Sequence, residues 1–179
     1  DTYYRDPVRF ELMRRFGYFV TESTRHMSEY APYFRTSSDR KAKFNLDAIS
    51  TDLGRLEKRN DDYFATMRRE VEGTEPIVAV QSDEYACRIM SAMETNVSTV
   101  INGNVRNEGL VTNLPAGSCV EVPCLVDSLG IHPMTVGDIP PQLAALNRSN
   151  IAVQELGVKS VLEGSREAAR YAVLLDPLT

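Results

Sequence analysis

A polar run between two apolar stretches holds the residues in this chain that are best suited to chemistry. It reads Thr21-Glu22-Ser23-Thr24-Arg25-His26, with Tyr18 just before it and Glu29 one turn beyond it. Glu22 offers a carboxylate base, Arg25 a guanidinium that binds oxygen acceptors, and His26 an imidazole that titrates near neutral pH. A helix-end capping network explains the same residue types, because Ser, Thr and Glu often bind the free amides of a first turn. Both interpretations stay open.

A second candidate is the Asn- and Gly-rich segment 102–109, which contains Asn104 and Asn107. An Asn amide presents a donor and an acceptor together, which suits the hydroxyl groups of a sugar. The same composition is typical of a long hairpin turn, because Asn and Gly tolerate positive φ angles. The sequence alone does not separate a sugar pocket from a turn.

The three cysteines, Cys87, Cys119 and Cys124, are too few for a disulfide scaffold in a chain of 179 residues. They indicate reduced thiols and a cytoplasmic location. Cys119-x4-Cys124 has a spacing that could start a metal site, but the only two histidines, His26 and His132, stand apart from it in sequence. We therefore predict buried core cysteines and no metal site made by this chain alone.

The composition is that of a folded domain, with 42% hydrophobic residues, 25% charged residues and a formal net charge of −5. No apolar run approaches the roughly 20 residues of a membrane span, and the basic residues alternate with acidic ones. We therefore expect neither a membrane nor a nucleic acid as partner. The glycine fingerprint of dinucleotide-binding domains is missing. The chain also begins at Asp1, and we expect it to be a piece of a longer protein.

The elements that must position these residues are mostly helical. Apolar spacing predicts a helix over 6–20, capped by Asp6 and ending near Gly17, and another that starts from Ser82. A long helix follows Pro140-Pro141 to about residue 162, and Ser165 caps a last one. Residues 36–43 have the composition of a solvated linker. Segment 45–72, with Ile49 on its apolar face, predicts two helices or one long bent helix.

Two Val-rich segments, 97–105 and 118–126, predict a pair of strands, and residues 127–140 a loop. Pro123 indicates an edge strand or a bulge, because proline cannot donate to a ladder. The predicted fold class is α+β, mostly helical, with a small sheet flanked by helices.

Three blocks of sequence resemble the family 4 glycoside hydrolases, and within them the α-galactosidases and α-glucosidases of unphosphorylated sugars. The first block runs from Arg14 to Ser23 (RRFGYFVTES) and continues to His26 and Ser28-Glu29-Tyr30. The second is Asn104-x-x-Asn107-x-Gly109 with Leu114-Pro115 and segment 120–123, and the third is segment 150–177. Only residues 36–75 carry little of the resemblance.

The resemblance implies a two-domain enzyme with an N-terminal Rossmann domain that binds NAD. Residues 1–179 match only the C-terminal, substrate-side domain, which is similar to that of lactate and malate dehydrogenases. In this family the metal-binding Cys and His precede the region matched here, so the resemblance gives none of the three cysteines that role.

The implied reaction uses NAD⁺ to oxidise the sugar at C3, which acidifies the C2 hydrogen, while Mn²⁺ stabilises the enolate formed when that proton leaves. Elimination then expels the C1 substituent. The resemblance makes Glu22, the nearest carboxylate, the candidate base at C2, but the match needs a one-residue shift, without which Ser23 occupies the position of the base. Tyr18 is the other candidate base within the same block of sequence. The resemblance places Arg25 against the sugar and His26 beside it, and we expect Asn104 and Asn107 to line the same cleft.

The expected function is therefore that of an α-glycosidase domain, with α-galactosidase preferred over α-glucosidase or α-galacturonidase. The alternative is an isolated, non-catalytic helical oligomerisation domain. On either view the chain without its cofactor domain is expected to be inactive. We also expect a homo-oligomer, formed through an exposed apolar surface around Val8, Leu12 and Phe16.

Overall fold

The computed structural model describes residues 5–46, 53–80 and 82–179. These residues form a mostly helical domain with one small antiparallel sheet, as the sequence predicts. The elements in chain order are α1 (Pro7–Phe16), α2 (Thr24–Tyr30), α3 (Ser38–Lys43), α4 (Leu53–Val71), α5 (Ala86–Thr95), β1 (Thr99–Arg106), β2 (Cys119–Asp127), β3 (Gly130–Pro133), α6 (Pro141–Leu162) and α7 (Arg166–Leu175).

The sheet has the strand order β1-β2-β3, and both pairings are antiparallel. The predicted pair is confirmed, with Ile101 opposite Cys124 and Val105 opposite Val120. The loop prediction for residues 127–140 is wrong at β3, because a four-residue strand is too short to show alternation. The His132 imidazole bonds the Asp127 carboxylate at 3.0 Å, which joins β3 to β2 and lowers the pKa of Asp127.

Pro123 lies in the central strand, so the prediction of an edge strand is wrong. Its carbonyl accepts a hydrogen bond of 2.8 Å from the amide of Met134, one residue past the end of β3. The nitrogen of a strand residue points to the same side as its carbonyl, and the β3 ladder already ends at Cys124 opposite Pro133. The missing proline amide therefore removes only the bond that it would donate back to Met134, just past the end of the β3 ladder, and takes no bond from the pairing with β1.

The buried residues form two clusters. The first packs the inner face of the sheet against α5 and α6, with Ile101, Val122 and Cys124 meeting Ala92, Ala144 and Ile151. The second lies within the N-terminal helices and consists of Val8, Leu12, Ala31, Phe34, Phe44 and Leu46. In this second cluster the rings of Phe34 and Phe44 meet edge to face, with centroids 5.0 Å apart.

Helix α6 contacts both parts of the domain. Ala144 and Ile151 face the sheet, while the side chains of Gln142 and Asn150 reach the N-terminal helices. Gln142 donates to the Phe16 carbonyl at 3.3 Å, and Asn150 donates to the Tyr30 carbonyl at 3.0 Å. These bonds occupy backbone acceptors at the last residues of α1 and α2, which would otherwise be left free.

Several helix ends agree with the sequence. Helix α1 ends at Gly17, which adopts φ +83°, and Ser165 accepts from the Ala168 amide to cap α7. Asp6 does not cap α1, because its carboxylate accepts from the Thr24 hydroxyl instead. The helix predicted from Ser82 begins only at Ala86 and has no side-chain cap.

The N-terminal third contains more helix than the sequence predicts. Residues 36–43 were expected to be a linker, but Ser38–Lys43 form α3, whose first turn is capped by Ser37. Leu53–Val71 form one helix. Ile49, predicted on the apolar face of that region, lies outside the described residues.

The expected apolar surface around α1 is wrong. Val8 and Leu12 are 0% and 2% exposed, and Phe16 is partly buried against them, because α2 and the segment after it cover this face. Helix α4 exposes four large apolar side chains on one face: Tyr63, Phe64, Met67 and Val71. We call these four residues the α4 apolar face. Within the described part of the chain, no helix is long and apolar enough to cross a membrane.

Glu11 gives α1 a testable dependence on pH. Hydrogen bonds from the Arg14 and Arg15 guanidinium groups lower its pKa from 4.5 to about 2. Because the folded-state pKa is the lower one, the stability that Glu11 contributes is present above pH 4.5 and is lost as the pH falls towards 2. We expect the unfolding free energy of Glu11→Gln to fall less between pH 4.5 and pH 2 than that of the parent protein. Denaturant unfolding of parent and variant from pH 2 to 7 measures the difference, and identical slopes would contradict it.

Candidate functional site

The loop between α1 and α2 carries Tyr18 and Glu22, and α2 starts immediately after it. Ser23 is the N-cap residue of α2, and its hydroxyl accepts from the His26 amide at 3.4 Å. The Glu22 carboxylate accepts from the Ser23 amide at 2.6 Å and is exposed. The cap that the polar run supplies is therefore made by Ser23, and the Glu22 side chain remains open to solvent on its other side.

A cavity of about 430 Å³ separates this loop from α6. Tyr18 and Glu22 line one side, and Asn147, Asn150 and Gln154 line the other. Its remaining walls are mainly apolar and include Leu12, Phe16, Phe19, Val20, Met27, Tyr30, Leu143 and Leu146. The volume and the few polar groups on an apolar wall are typical of a small-molecule site.

Arg25 and His26 lie on α2 and are not among the residues that line this cavity. Both pair with Glu29, whose carboxylate lies 3.6 Å from Arg25 Nε and 3.2 Å from His26 Nδ1. Arg35 approaches the same carboxylate at 3.3 Å, and the fully buried Ser28 hydroxyl accepts from Arg35 Nε. Glu29 thus holds three basic side chains at one end of α2.

A second cavity, of about 340 Å³, adjoins the first along a shared wall. Tyr30, Asn150 and Gln154 line both, and Glu29 and Arg35 line only the second. The predicted polar run is therefore divided: Glu22 and Tyr18 line the first cavity, Glu29 lines the second, and Arg25 and His26 line neither. Arg25 and His26 keep 40% and 52% of their side chains exposed.

Asn104 is not brought to this cleft. It stands on β1 opposite Glu121, and the alternation of burial along the strand puts it on the outer face of the sheet. The inner face packs against α6, so the sheet separates Asn104 from the cavity beside Glu22.

Asn107 is 1% exposed and acts as the internal support of its loop. Its amide nitrogen donates to the carbonyls of Val111, Leu114 and Pro115, and its oxygen accepts from the Val111 amide. The turn interpretation of segment 102–109 is right for residues 107–109 and wrong for residues 102–106, which belong to β1. The buried side chain of Asn107 supports the loop from inside and is not exposed to a sugar.

The cysteine prediction holds at one of three positions. Cys124 is buried in the core beneath the sheet, but Cys87 and Cys119 are exposed. Cys119 lies at an outward-facing position of β2 opposite Arg106, which the spacing to Cys124 could not reveal. All three are free thiols.

Sequence reasoning missed the amide row on α6, namely Asn147, Asn150 and Gln154. Their spacing of three and four residues puts them on one face of a helix that the sequence does predict. The sequence does not show which neighbouring element this face of α6 contacts. Only the packing of α6 against α1 and α2 shows it.

The described residues do not form a metal site by themselves. Within ranges 5–46, 53–80 and 82–179, no three His, Cys, Asp or Glu side chains lie close enough to hold a metal ion. The residues with polar side chains around the first cavity are one glutamate, two tyrosines, one threonine and three amides, which suit a neutral, hydroxyl-rich ligand better than a metal ion.

These features define a mostly helical α+β domain with a cavity beside α6 whose walls are mainly apolar and carry a few polar groups. The sequence profile of the Family 4 glycosyl hydrolase C-terminal domain matches residues 1–179, and the chain belongs to this family.

Known relatives extend the comparison. The chain is 40% identical over 178 residues to an α-galactosidase of Bacillus subtilis (strain 168), covering 99% of this chain and 41% of that protein. It is 33% identical to an α-galactosidase of Rhizobium meliloti (strain 1021), covering 97% of this chain and 37% of that protein. The chain therefore spans about two fifths of the length of these relatives.

A solved structure has the same fold. The crystal structure of a 6-phospho-α-glucosidase from gut microorganisms, in complex with NAD and Mn²⁺, superposes with a TM-score of 0.71 at 24% identity. The match covers 95% of this chain and 38% of that one.

The contrast between Asn107 and Asn104 is testable. We expect Asn107→Ala to lower the unfolding free energy by about 2–4 kcal/mol, because it leaves buried backbone groups unpaired. The matched control, Asn104→Ala on the outer face of the same strand-and-loop unit, should change it by less than about 0.5 kcal/mol. Urea unfolding of both variants measures this, and equal losses would contradict the structural role of Asn107.

Proposed function

We propose that this chain is the substrate-side domain of an NAD- and Mn²⁺-dependent α-galactosidase that hydrolyses α-glycosidic bonds. The observation that carries the proposal is the cavity that Tyr18 and Glu22 share with the amide row of α6. The two α-galactosidase relatives at 40% and 33% identity support the choice of sugar. α-Glucosidase and α-galacturonidase activities remain the runners-up.

Glu22 is the proposed base that removes the C2 proton of the sugar. A carboxylate is ionised at neutral pH without special tuning, and the exposed carboxylate of Glu22 borders a cavity that can hold a sugar ring. Tyr18 borders the same cavity and is the alternative base.

The other polar groups orient the sugar. Gln154 and Asn147 face the cavity from α6, where their amides can donate to and accept from hydroxyl groups. Arg25 and His26, kept in place by Glu29, reach the substrate only if it extends from the first cavity towards the second. We therefore assign them to the outer part of the glycoside and leave Asn104 and Asn107 out of the site.

The proposal includes an N-terminal Rossmann domain in the full-length protein. NAD and Mn²⁺, bound by residues outside this chain, would supply hydride transfer at C3 and stabilisation of the enolate. The free thiols support a reducing, cytoplasmic location for this protein.

A homo-oligomer is also part of the proposal, now through a different surface from α1. The α4 apolar face exposes Tyr63 and Phe64 by 62% each and Val71 by 84%. Contiguous exposed apolar side chains of this size mark interaction sites. We propose that α4 contacts a second copy of the protein.

The assignment of the base predicts the behaviour of Glu22→Gln in the full-length enzyme. The amide cannot accept the proton, so we expect the exchange of the C2 hydrogen with solvent to fall at least about 100-fold while NAD and substrate still bind. NMR of the sugar in D₂O follows the exchange. Tyr18→Phe is the matched variant. If exchange survives in Glu22→Gln and disappears in Tyr18→Phe, the base is Tyr18.

The proposed contact predicts a change in oligomeric state. Phe64→Glu places a charge in the centre of the α4 apolar face, and we expect it to shift the full-length protein towards monomer in light scattering. Lys58→Glu, on the opposite side of the same exposed helix, is the control and should leave the mass unchanged. A parent protein that is monomeric at high concentration would contradict the proposal.

A further inference from the structure

The loop that carries Tyr18 and Glu22 has no regular secondary structure of its own. It leaves α1 at Gly17 and enters α2 at Ser23. Loops move more than the elements they join, yet a general base must be held close to one geometry. Something outside the loop must therefore fix it.

Arg9, one turn into α1, contacts the loop in three ways. Its Nε donates to the Val20 carbonyl at 2.8 Å, and its Nη2 donates to the Thr21 carbonyl at 3.4 Å. Its guanidinium carbon lies 4.4 Å from the centre of the Phe19 ring, which is a cation–π contact. The planar guanidinium thus reaches the three residues that precede Glu22, and only 20% of the side chain is exposed.

Asp6 contacts the chain on the other side of Glu22. Its carboxylate accepts from the hydroxyl of Thr24 at 3.2 Å, and Thr24 is only 4% exposed. The same Asp6 oxygen lies 3.4 Å from Arg9 Nη1, so the two anchors are joined to each other. Glu22 lies between the two anchored positions, Thr21 and Thr24.

We propose that Asp6 and Arg9 form a bracket that positions the Glu22 carboxylate for proton transfer. Neither residue lines the cavity, so both act through the backbone of the loop and not on the substrate. The inference rests on the proposed role of Glu22 as base. It also gives Asp6 a role other than the helix cap that its position before Pro7 suggested.

Without the bracket, we expect the Glu22 carboxylate to be misaligned with the proton that it removes. A shift of about 1 Å between a base and its proton lowers the rate by about 100-fold. Lysine at position 9 keeps the charge and cannot bond two carbonyls in one plane. We therefore expect Arg9→Lys in the full-length enzyme to lower kcat by about 10- to 100-fold and to change the substrate Kd less than about twofold.

The test compares hydrolysis of ordinary and C2-deuterated substrate. If Arg9→Lys slows proton transfer alone, the C2 deuterium isotope effect on kcat rises, which a general loss of folded protein would not cause. Arg15→Lys is the matched control, because Arg15 is on the same helix, pairs with Glu11 and does not contact the loop. The control should keep the parent kcat and the parent isotope effect.

A double-mutant cycle with Glu22→Gln completes the test. If Arg9 acts through Glu22, adding Arg9→Lys to Glu22→Gln lowers kcat no further than Glu22→Gln alone does. The bracket is overturned if the two substitutions lower kcat independently, so that their fold-losses multiply in the double variant. It is also overturned if Arg9→Lys leaves the isotope effect unchanged. Should Arg9→Lys fold poorly by calorimetry, Asp6→Asn makes the same test at the other anchor, with the same expected rise in the isotope effect.

The two proposals fail in different ways. If Glu22→Gln keeps the parent rate, the role of Glu22 is wrong. If Glu22→Gln is inactive while Arg9→Lys and Asp6→Asn keep the parent kcat, only the bracket is wrong.

Discussion

The packing of α6 between two separate cores is the constraint on which the rest of the structure depends. Ala144 and Ile151 close the core beneath the sheet, and Leu143 and Leu146 border the N-terminal helices on another side. A helix with neighbours on more than one side needs apolar residues around much of its circumference, and the sequence of α6 has them. The polar residues of α6 that line the first cavity are Asn147, Asn150 and Gln154, so the cavity next to Glu22 is lined by amides on that side.

The same helix explains why the candidate site divides. Asn150 bonds the carbonyl of Tyr30 and fixes the end of α2 against α6, and the two residues form a wall between the cavities. On one side the loop presents Tyr18 and Glu22. On the other, Glu29 gathers Arg35, Arg25 and His26. A short helix of seven residues has little stability of its own, so these side-chain contacts determine where α2 lies.

Features that depend on a few neighbouring residues could be predicted from the sequence. Gly17 ends α1, Ser165 starts α7, and the two Val-rich segments pair, because caps, breakers and alternation act within one or two turns. Features that depend on distant contacts could not. Asp6 has the composition of a cap but bonds Thr24, eighteen residues away, and Val8 and Leu12 are buried by segments that no local pattern identifies.

The candidate site shows the same difference between features that depend on local sequence and features that depend on distant contacts. The polar run around Glu22 could be found from residue types alone, whereas the partner across the cavity, the amide row of α6, lies more than a hundred residues further along the chain. Asn107 has the residue type of a sugar ligand, and its burial under three carbonyls became visible only once the loop was folded.

The positions of the charged groups indicate how the exposed loop that carries the proposed base is held in place. The anchors are Arg9 on α1 and Asp6 just before it, and the apolar side of α1 is buried by Val8 and Leu12. They contact two backbone carbonyls and the Phe19 ring of the loop, and the Thr24 hydroxyl of α2. None of these contacts uses the side chain of Tyr18 or Glu22, so both can face the cavity. The Glu22 carboxylate then needs only the Ser23 amide, which holds it with one hydrogen bond and keeps its second oxygen available for a proton. The contacts that hold the loop and the side chains proposed to act on the substrate therefore use different atoms.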